Sequence, residues 1–272
     1  MMGIRPTRRS LLLALPAAAL PFGLTPAASH AADKSADKPV VAAAADLNAA
    51  LPEIVSLFTK ATGRALDLVF GSSGNFTQQI EQGAPFQMFL SADEAYVARL
   101  AQAGRTVDGG ALYAVGRIGI FAPTGSTLHA DSALSDLAAA LVDGRVKHFA
   151  IANPEHAPYG RAAREALQHA GLWEKIEGKL VLGENVAQAT QFAASGSAEG
   201  GIIPLSLAKS PAVAALGSFA PLPEEWHAPL RQRMVLLKGA GDTARDFYAF
   251  MQSPTARAVL IRYGFVLPGE TG

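Results

Sequence analysis

The sequence predicts an α/β protein of two lobes, each a mixed sheet flanked by helices, joined by two hinge crossings. Its 272 residues, half of them hydrophobic, exceed the roughly 150 of one typical domain, so two cores are expected. A unit of short apolar run, small polar loop and helically spaced apolar residues repeats along the chain, which is the alternation of an α/β fold. A late apolar run at 232–237 follows the second set of units and reads as a strand returning to the first lobe. A chain that leaves a lobe and comes back crosses twice, which is hinge anatomy.

Residues 1–31 read as an export signal. Arg5, Arg8 and Arg9 precede an apolar run over 11–24 and a small-residue stretch ending at Ser29-His30-Ala31, after which cleavage is expected. Pro16 and Pro21 interrupt the run, which leaves it short of the roughly 20 clean apolar residues of a retained membrane span. Thr7-Arg8-Arg9-Ser10-Leu11-Leu12 looks like a twin-arginine signal, which would place a folded protein in the periplasm; an ordinary secretory n-region is the alternative. Residues 32–39 are polar and aperiodic, as in a flexible leader.

The first lobe is expected over 40–118 and 228–268, the second over 119–227. Strand 40–45 leads through Asp46-Leu47-Asn48 into a helix with Leu51, Ile54, Val55 and Phe58 on one face, ended by Gly63. Strand 65–70 leads through Gly71-Ser72-Ser73-Gly74 into a helix carrying Phe76 and Ile80 that stops at Gly83. Strand 86–90 is followed by Ser91 and Asp93, placed to cap the helix of Tyr96, Val97 and Leu100. Strand 117–122 ends where Pro123, Thr124 and Gly125 break the pattern, and the crossings are expected near 115–122 and 226–232. In the second lobe come a helix near 134–141, a strand at 149–152, a loop at 153–160 and a helix at 161–170. A strand at 179–182, Gly183-Glu184-Asn185, a helix at 186–194 and an apolar run at 200–205 follow. Strand 232–237, a helix at 243–251 and a last helix before Tyr263 complete the first lobe.

Composition removes several function classes. Basic and acidic residues number 23 each, so nothing recruits nucleic acid or an acidic membrane. Without the signal, three arginines and no acid are lost, leaving 20 basic against 23 acidic residues and a net charge of −3. Any anion site must therefore be local. With no cysteine there is no disulfide, no thiolate ligand for a metal and no lipid anchor. The histidines at 30, 129, 148, 156, 169 and 227 give no HExxH pair, and neither a G-x-S-x-G elbow nor a GxxxxGK[ST] or GxGxxG loop is present. An exported hydrolase is thus a remote alternative, and His156 beside Glu155 reads as structural.

Four of the strand ends carry Gly, Ser or Asn and run straight into a helix. Helix starts have amides without intrahelical partners and a partial positive charge, so they hold anions without lysine or arginine. In an open α/β sheet, ligands gather beyond the carboxyl ends of the strands. Ser73 and its amide suit an oxyanion, although serine is also a preferred cap; Tyr159 reads as a ligand or a packed aromatic, and Asn185 as a cap.

Taken together, the motifs resemble the molybdate-binding (ModA) family of ABC transporter substrate-binding proteins over about residues 40–268. The resemblance is carried by Ala42-Ala43-Ala44-Ala45, Gly71-Ser72-Ser73-Gly74, Gln79-Ile80-Glu81-Gln82-Gly83-Ala84-Pro85-Phe86 and Phe89-Leu90-Ser91-Ala92-Asp93. Asn153-Pro154-Glu155-His156-Ala157-Pro158-Tyr159-Gly160, Glu184-Asn185-Val186-Ala187-Gln188-Ala189 and Arg262-Tyr263-Gly264-Phe265 extend it. It implies a type II-like periplasmic binding fold, a molybdate or tungstate ligand, no cofactor, no enzymatic activity, and a monomer that partners an ABC permease in the inner membrane. Carried over by motif position, the oxyanion ligands would be Asp46, Asn48, Ser73, Tyr159 and, through its amide, Val186. Phosphate, arsenate or sulfate is the alternative ligand.

Two positions depart from the family pattern. Asp46 stands where Ser, Thr or Asn is usual, and a carboxylate facing a dianion would repel it by several kcal/mol if poorly solvated. Either Asp46 turns away to cap the helix start at 48–50, or it shares a proton with the ligand, which would favour hydrogen phosphate or arsenate. Pro204 stands where some relatives place a tyrosine, and proline has no donor to offer. Glu224-Glu225-Trp226 reads as a surface loop for the permease or as a tryptophan packed on its own lobe.

Overall fold

The computed structural model describes residues 38–269; the export signal at 1–31 and most of the 32–39 leader lie outside the described residues. Among the described residues no helix is long and apolar enough to cross a membrane.

The chain opens with β1 (Val40–Ala44), a 3-10 turn (Ala45–Leu47) and α1 (Leu51–Thr62). Then come β2 (Asp67–Gly71), α2 (Ser73–Glu81), β3 (Met88–Ser91), α3 (Glu94–Gln102) and β4 (Ala111–Gly116). After β5 (Ile118–Pro123) follow α4 (Ser135–Asp143), β6 (Phe149–Ala152), α5 (Pro158–His169), the short α6 (Trp173–Ile176), β7 (Leu180–Gly183) and α7 (Val186–Ala194). Next are β8 (Gly200–Pro204), two single turns α8 (Leu205–Ala208) and α9 (Pro211–Ala214), and β9 (Gly217–Pro221). A 3-10 turn (Glu224–Trp226), β10 (Leu230–Leu236), α10 (Asp242–Met251) and α11 (Pro254–Arg262) finish the chain.

Among the described residues, ten strands form two five-stranded sheets on one plan. The first has the order β2-β1-β3-β10-β4 and the second β7-β6-β8-β5-β9. β1 lies parallel between β2 and β3, and β6 lies parallel between β7 and β8. Each sheet then takes an antiparallel strand, β10 against β3 and β5 against β8. This is the two-lobed mixed-sheet architecture expected from the alternating pattern. Parallel strands covered on both faces read as continuous apolar runs, and β1, β3 and β6 are buried accordingly.

In the first lobe, Leu51, Ile54 and Phe58 of α1 pack with Phe247 and Leu260 on one sheet face. Phe76, Ile80, Val97 and Leu100 of α2 and α3 cover the other. Phe58 meets Phe247 edge-on at 5.2 Å between ring centroids, which ties α1 to the returning C-terminal segment. The chain passes from the first sheet to the second through Arg117 alone, between β4 and β5, and Leu205 N donates to the Arg117 carbonyl at 3.0 Å. It returns between β9 and β10, where Arg117 pairs with Glu224 and Trp226 stacks on His169 of α5 at 5.0 Å. Trp226 therefore packs on the second lobe.

Three features differ from the sequence reading. β4 and β9 were not foreseen: Gly217-Ser218 and Pro221 give β9 no apolar alternation, and the apolar run of β4, although it follows Asp108-Gly109-Gly110, lies just ahead of the expected crossing. The helix expected at 161–170 starts at Pro158, since proline is favoured in a first helical turn where its missing N–H costs nothing. Tyr159 accordingly sits in a helix, not in a loop.

Candidate functional site

Each parallel strand of both sheets ends at a helix start, and these starts face one another. Ala44, Ala45, Asp46, Gly71, Ser72, Ser73 and Ala92 of the first lobe line a small cavity together with Ala157, Pro158, Tyr159 and Val186 of the second. No lysine, arginine or histidine lines it. Small residues allow the approach: Ala44, Ala45 and Ala92 belong to one buried cluster with Ala157, Tyr159 and Val186.

The donors are set by how each helix is capped. In α2 the cap is Ser72, whose Oγ accepts from Asn75 N at 3.3 Å, while Gly74 N donates across the cleft to His156 O at 3.0 Å. Of the first three amides, that of Ser73 is the one these two bonds leave for a ligand. The Ser73 hydroxyl accepts from Ala92 N at 3.0 Å, which leaves its own hydrogen to donate. In α7, Asn185 Oδ1 accepts from Ala187 N and Gln188 N, which leaves the amide of Val186. In α5, Pro158 has no N–H and Gly160 N turns back to Ala157 O, so Tyr159 carries the first amide without a side-chain cap.

Asp46 is fully buried and does not cap α1, whose N-cap is Ala50 with no side-chain bond. The capping expectation is thereby corrected: the 3-10 turn holds the carboxyl over the cavity, out of reach of the 48–50 amides. Asp46 Oδ2 instead accepts from Tyr159 OH at 2.9 Å and from Gln232 Nε2 at 2.7 Å, while Oδ1 has no hydrogen-bond partner. Gln232 is oriented by Tyr113, whose hydroxyl donates to Gln232 Oε1 at 2.6 Å. Ser206 of α8 donates to the Asp46 carbonyl at 2.8 Å. Burial pushes the Asp46 carboxyl up to about 7, against the opposing pull of the Gln232 and Tyr159 hydrogen bonds. The Tyr159 and Tyr113 hydroxyls are pushed well above their usual range, by burial first and then by the charge of Asp46.

The lobes are closed on this site by further bonds between them. His156 Nδ1 lies 2.9 Å from Ser72 Oγ, and Arg161 of α5 pairs with Asp93 at the start of α3. Two glycines make the closure sterically feasible. A Cβ on Gly74 would lie 2.6 Å from His156 O, and one on Gly116 would run into the Tyr159 hydroxyl.

Of the five residues singled out in the sequence, Asp46, Ser73, Tyr159 and Val186 are brought together around the cavity. Asn48 is not. The 3-10 turn, closed by Asn48 N donating to Ala45 O, carries its exposed side chain to a wider, mainly apolar groove beside Ala187, Thr190 and Leu207. Pro204 closes β8 and precedes α8, so the polar contact from this segment comes from Ser206, two residues on. Gln232 and Tyr113 are members of the site that the motifs did not flag, and His156, read from the sequence as structural, meets Ser72 Oγ across the cleft. Gln232 had a signal, a polar side chain in register with Leu230 and Met234 on the buried face of β10.

A model of the family described as bacterial extracellular solute-binding protein matches residues 39–266. The chain is 38% identical over 237 residues to the molybdate-binding protein ModA of Rhodobacter capsulatus, covering 85% of this chain and 89% of that one. It is 36% identical over 252 residues to the molybdate-binding protein ModA of Azotobacter vinelandii, covering 92% and 96%. The solved structure of the periplasmic molybdate-binding protein of Azotobacter vinelandii matches with a TM-score of 0.76 at 31% identity, over 85% of this chain and 100% of that one.

Proposed function

The chain belongs to the molybdate-binding ModA family of bacterial extracellular solute-binding proteins, and on that premise we propose that it captures molybdate, or tungstate of nearly equal size, for an ABC importer. The carrying observation is the cavity itself: helix starts from both lobes surround it with amides and hydroxyls, and no cationic side chain lines it. Such a site suits a small dianion whose charge is met by oriented dipoles. In this reading the Ser73 hydroxyl and amide, the Val186 amide and the first amide of α5 at Tyr159 meet the oxygens of the anion, not its metal. Ligand contacts to both lobes favour the closed form, and the chain crossings at Arg117 and before β10 act as the hinge.

Capture takes place in the periplasm after export by the N-terminal signal, twin-arginine in type, and the loaded monomer is presented to the permease. Molybdate and sulfate share charge and shape, so selectivity rests on the size of the cavity. Calorimetry with molybdate, tungstate, sulfate and phosphate tests this reading. It requires binding of molybdate and tungstate far tighter than of sulfate or phosphate; a preference for either of the latter overturns the substrate assignment.

A further inference from the structure

We propose that Asp46 takes part in ligand binding as a neutral carboxylic acid, its Oδ1–H donating to an oxygen of the bound oxyanion, so that capture of a dianion is coupled to one proton. The inference rests on the reading of the cavity as an oxyanion site and concerns how that site is regulated.

The two carboxyl oxygens of Asp46 are placed differently. Oδ2 accepts two hydrogen bonds, from Tyr159 OH and Gln232 Nε2, as the carbonyl oxygen of a carboxylic acid does. Oδ1 is buried without a partner, on a residue that lines the cavity. An ionised Oδ1 there would be an unpaired buried charge set against a second negative species, and both terms oppose binding. A protonated Oδ1 is a donor with one acceptor available to it, the ligand. The same atom thus changes from repelling the anion to holding it when one proton is added.

The groups facing Asp46, its own backbone N–H included, donate hydrogen bonds that favour the carboxylate but do not outweigh its burial. Tyr159 comes from α5 and Tyr113 from β4 through Gln232 of β10, and both hydroxyls stay neutral over the physiological range. Ser206 of α8 engages the backbone carbonyl, not the carboxyl. α2 and α7 contribute Ser72, Ser73 and Val186, which carry no charge. None of these groups is cationic, so the carboxyl is neutralised by a proton from solvent. Below the carboxyl's own pKa that proton is already in place and binding releases or takes up none. Above it, each dianion bound takes up one proton, released by hydronium or a buffer acid whose bond to hydrogen breaks as Oδ1–H forms, leaving the conjugate base in solution. The burial-driven rise of this carboxyl to about 7 puts the change within reach of ordinary external pH.

The test is calorimetric titration of the full mature protein with molybdate from pH 6 to 9, where molybdate stays a dianion, in buffers of differing ionisation enthalpy. The expected result is a Kd that is level near pH 6 and weakens about tenfold per pH unit above roughly pH 7, with uptake approaching one proton per anion. Asp46→Asn supplies an N–H donor without a titrating proton. Whatever its affinity at pH 6, the variant should keep that affinity to pH 9, so that the pH dependence disappears with the carboxyl, whereas a merely structural aspartate would leave the pH dependence in place. The wild-type complex at pH 8 should also show the infrared carbonyl band of a protonated carboxyl, missing in the variant. A wild-type Kd independent of pH with no proton uptake overturns the proposal. If molybdate does not bind at pH 6, the substrate reading fails and the same titrations with sulfate, also a dianion throughout, decide the coupling. Failure of every oxyanion at pH 6 overturns both.

Discussion

Ser73 and Ser72 are adjacent hydroxyls with different work. The Ser72 side chain is committed to Asn75 N and His156 Nδ1, so it secures the start of α2 and the contact between lobes. Ser73 is fully buried, lines the cavity and has its hydrogen to give. Ser73→Ala should therefore weaken molybdate binding by about 1–3 kcal/mol, because a buried anion loses one charge-assisted donor. Calorimetry reads this directly, and unchanged affinity would remove Ser73 from the site. Ser73 could be picked from the sequence because Gly71-Ser72-Ser73-Gly74 is a local pattern at a strand end. The Asp46 carboxyl could be flagged as anomalous there but not explained, since its partners Tyr159 and Gln232 lie 113 and 186 positions away. No spacing rule links residues so far apart; only the two-lobed closure brings them together.

At the scale of elements, the site depends on helix starts that approach one another across the cleft. Gly74, in the first turn of α2, faces the His156 carbonyl just ahead of α5, and a Cβ would come within 2.6 Å of that oxygen. This contact is backbone on one side, so it cannot be relieved by a rotamer change. Gly74→Ala should therefore hold the lobes apart, weakening molybdate binding at least tenfold, about 1.4 kcal/mol, while leaving each lobe folded. Small-angle scattering with saturating ligand should show less compaction than the wild type, and full compaction would contradict the role given to Gly74. The parallel β–loop–helix units were legible because apolar runs of strand length alternate with helical spacing, as in Phe149–Ala152 followed by α5. The edge strands β4 and β9 were not: β9 has no apolar alternation, and the apolar run of β4 leads directly into β5 with no helix behind it, so neither belongs to a β–loop–helix unit. The start of α5 was misplaced by three residues for a related reason: Pro158 looked like a loop residue and is a first-turn helix residue.

For the molecule as a whole, burial of Asp46 has a cost that depends on pH. Its folded pKa of about 7 lies above the ordinary carboxyl value of 3.8, so between these values the folded protein holds a proton that the unfolded chain has released. Stability then falls as pH rises from about 4 to about 7 and is level beyond, by up to about 4 kcal/mol and less where opening of the cleft rehydrates the carboxylate. Glu94, Asp136, Asp143 and Glu199 shift the other way, Asp136 and Asp143 chiefly through Arg145, while in Glu94 and Glu199 burial pushes up and is outweighed by hydrogen bonds and neighbouring positive groups. Their contributions are lost only at more acid pH, so they do not mask Asp46 above pH 5. The ligand-free wild type should lose thermal stability relative to Asp46→Asn between pH 5 and 8; parallel melting curves would exclude a buried, titrating carboxyl.

The proposed function rests on two lobes that line one cavity with helix-start amides and hydroxyls, with no cationic side chain among the lining residues. A crystal structure of the molybdate complex, with the molybdenum located by its anomalous scattering, tests it most directly. The account predicts a single anomalous peak in the cavity among Ser73, Tyr159 and Val186, with Asp46 Oδ1 within hydrogen-bond distance of one ligand oxygen. A peak outside that cavity, or a lysine or arginine in contact with the anion, would contradict it.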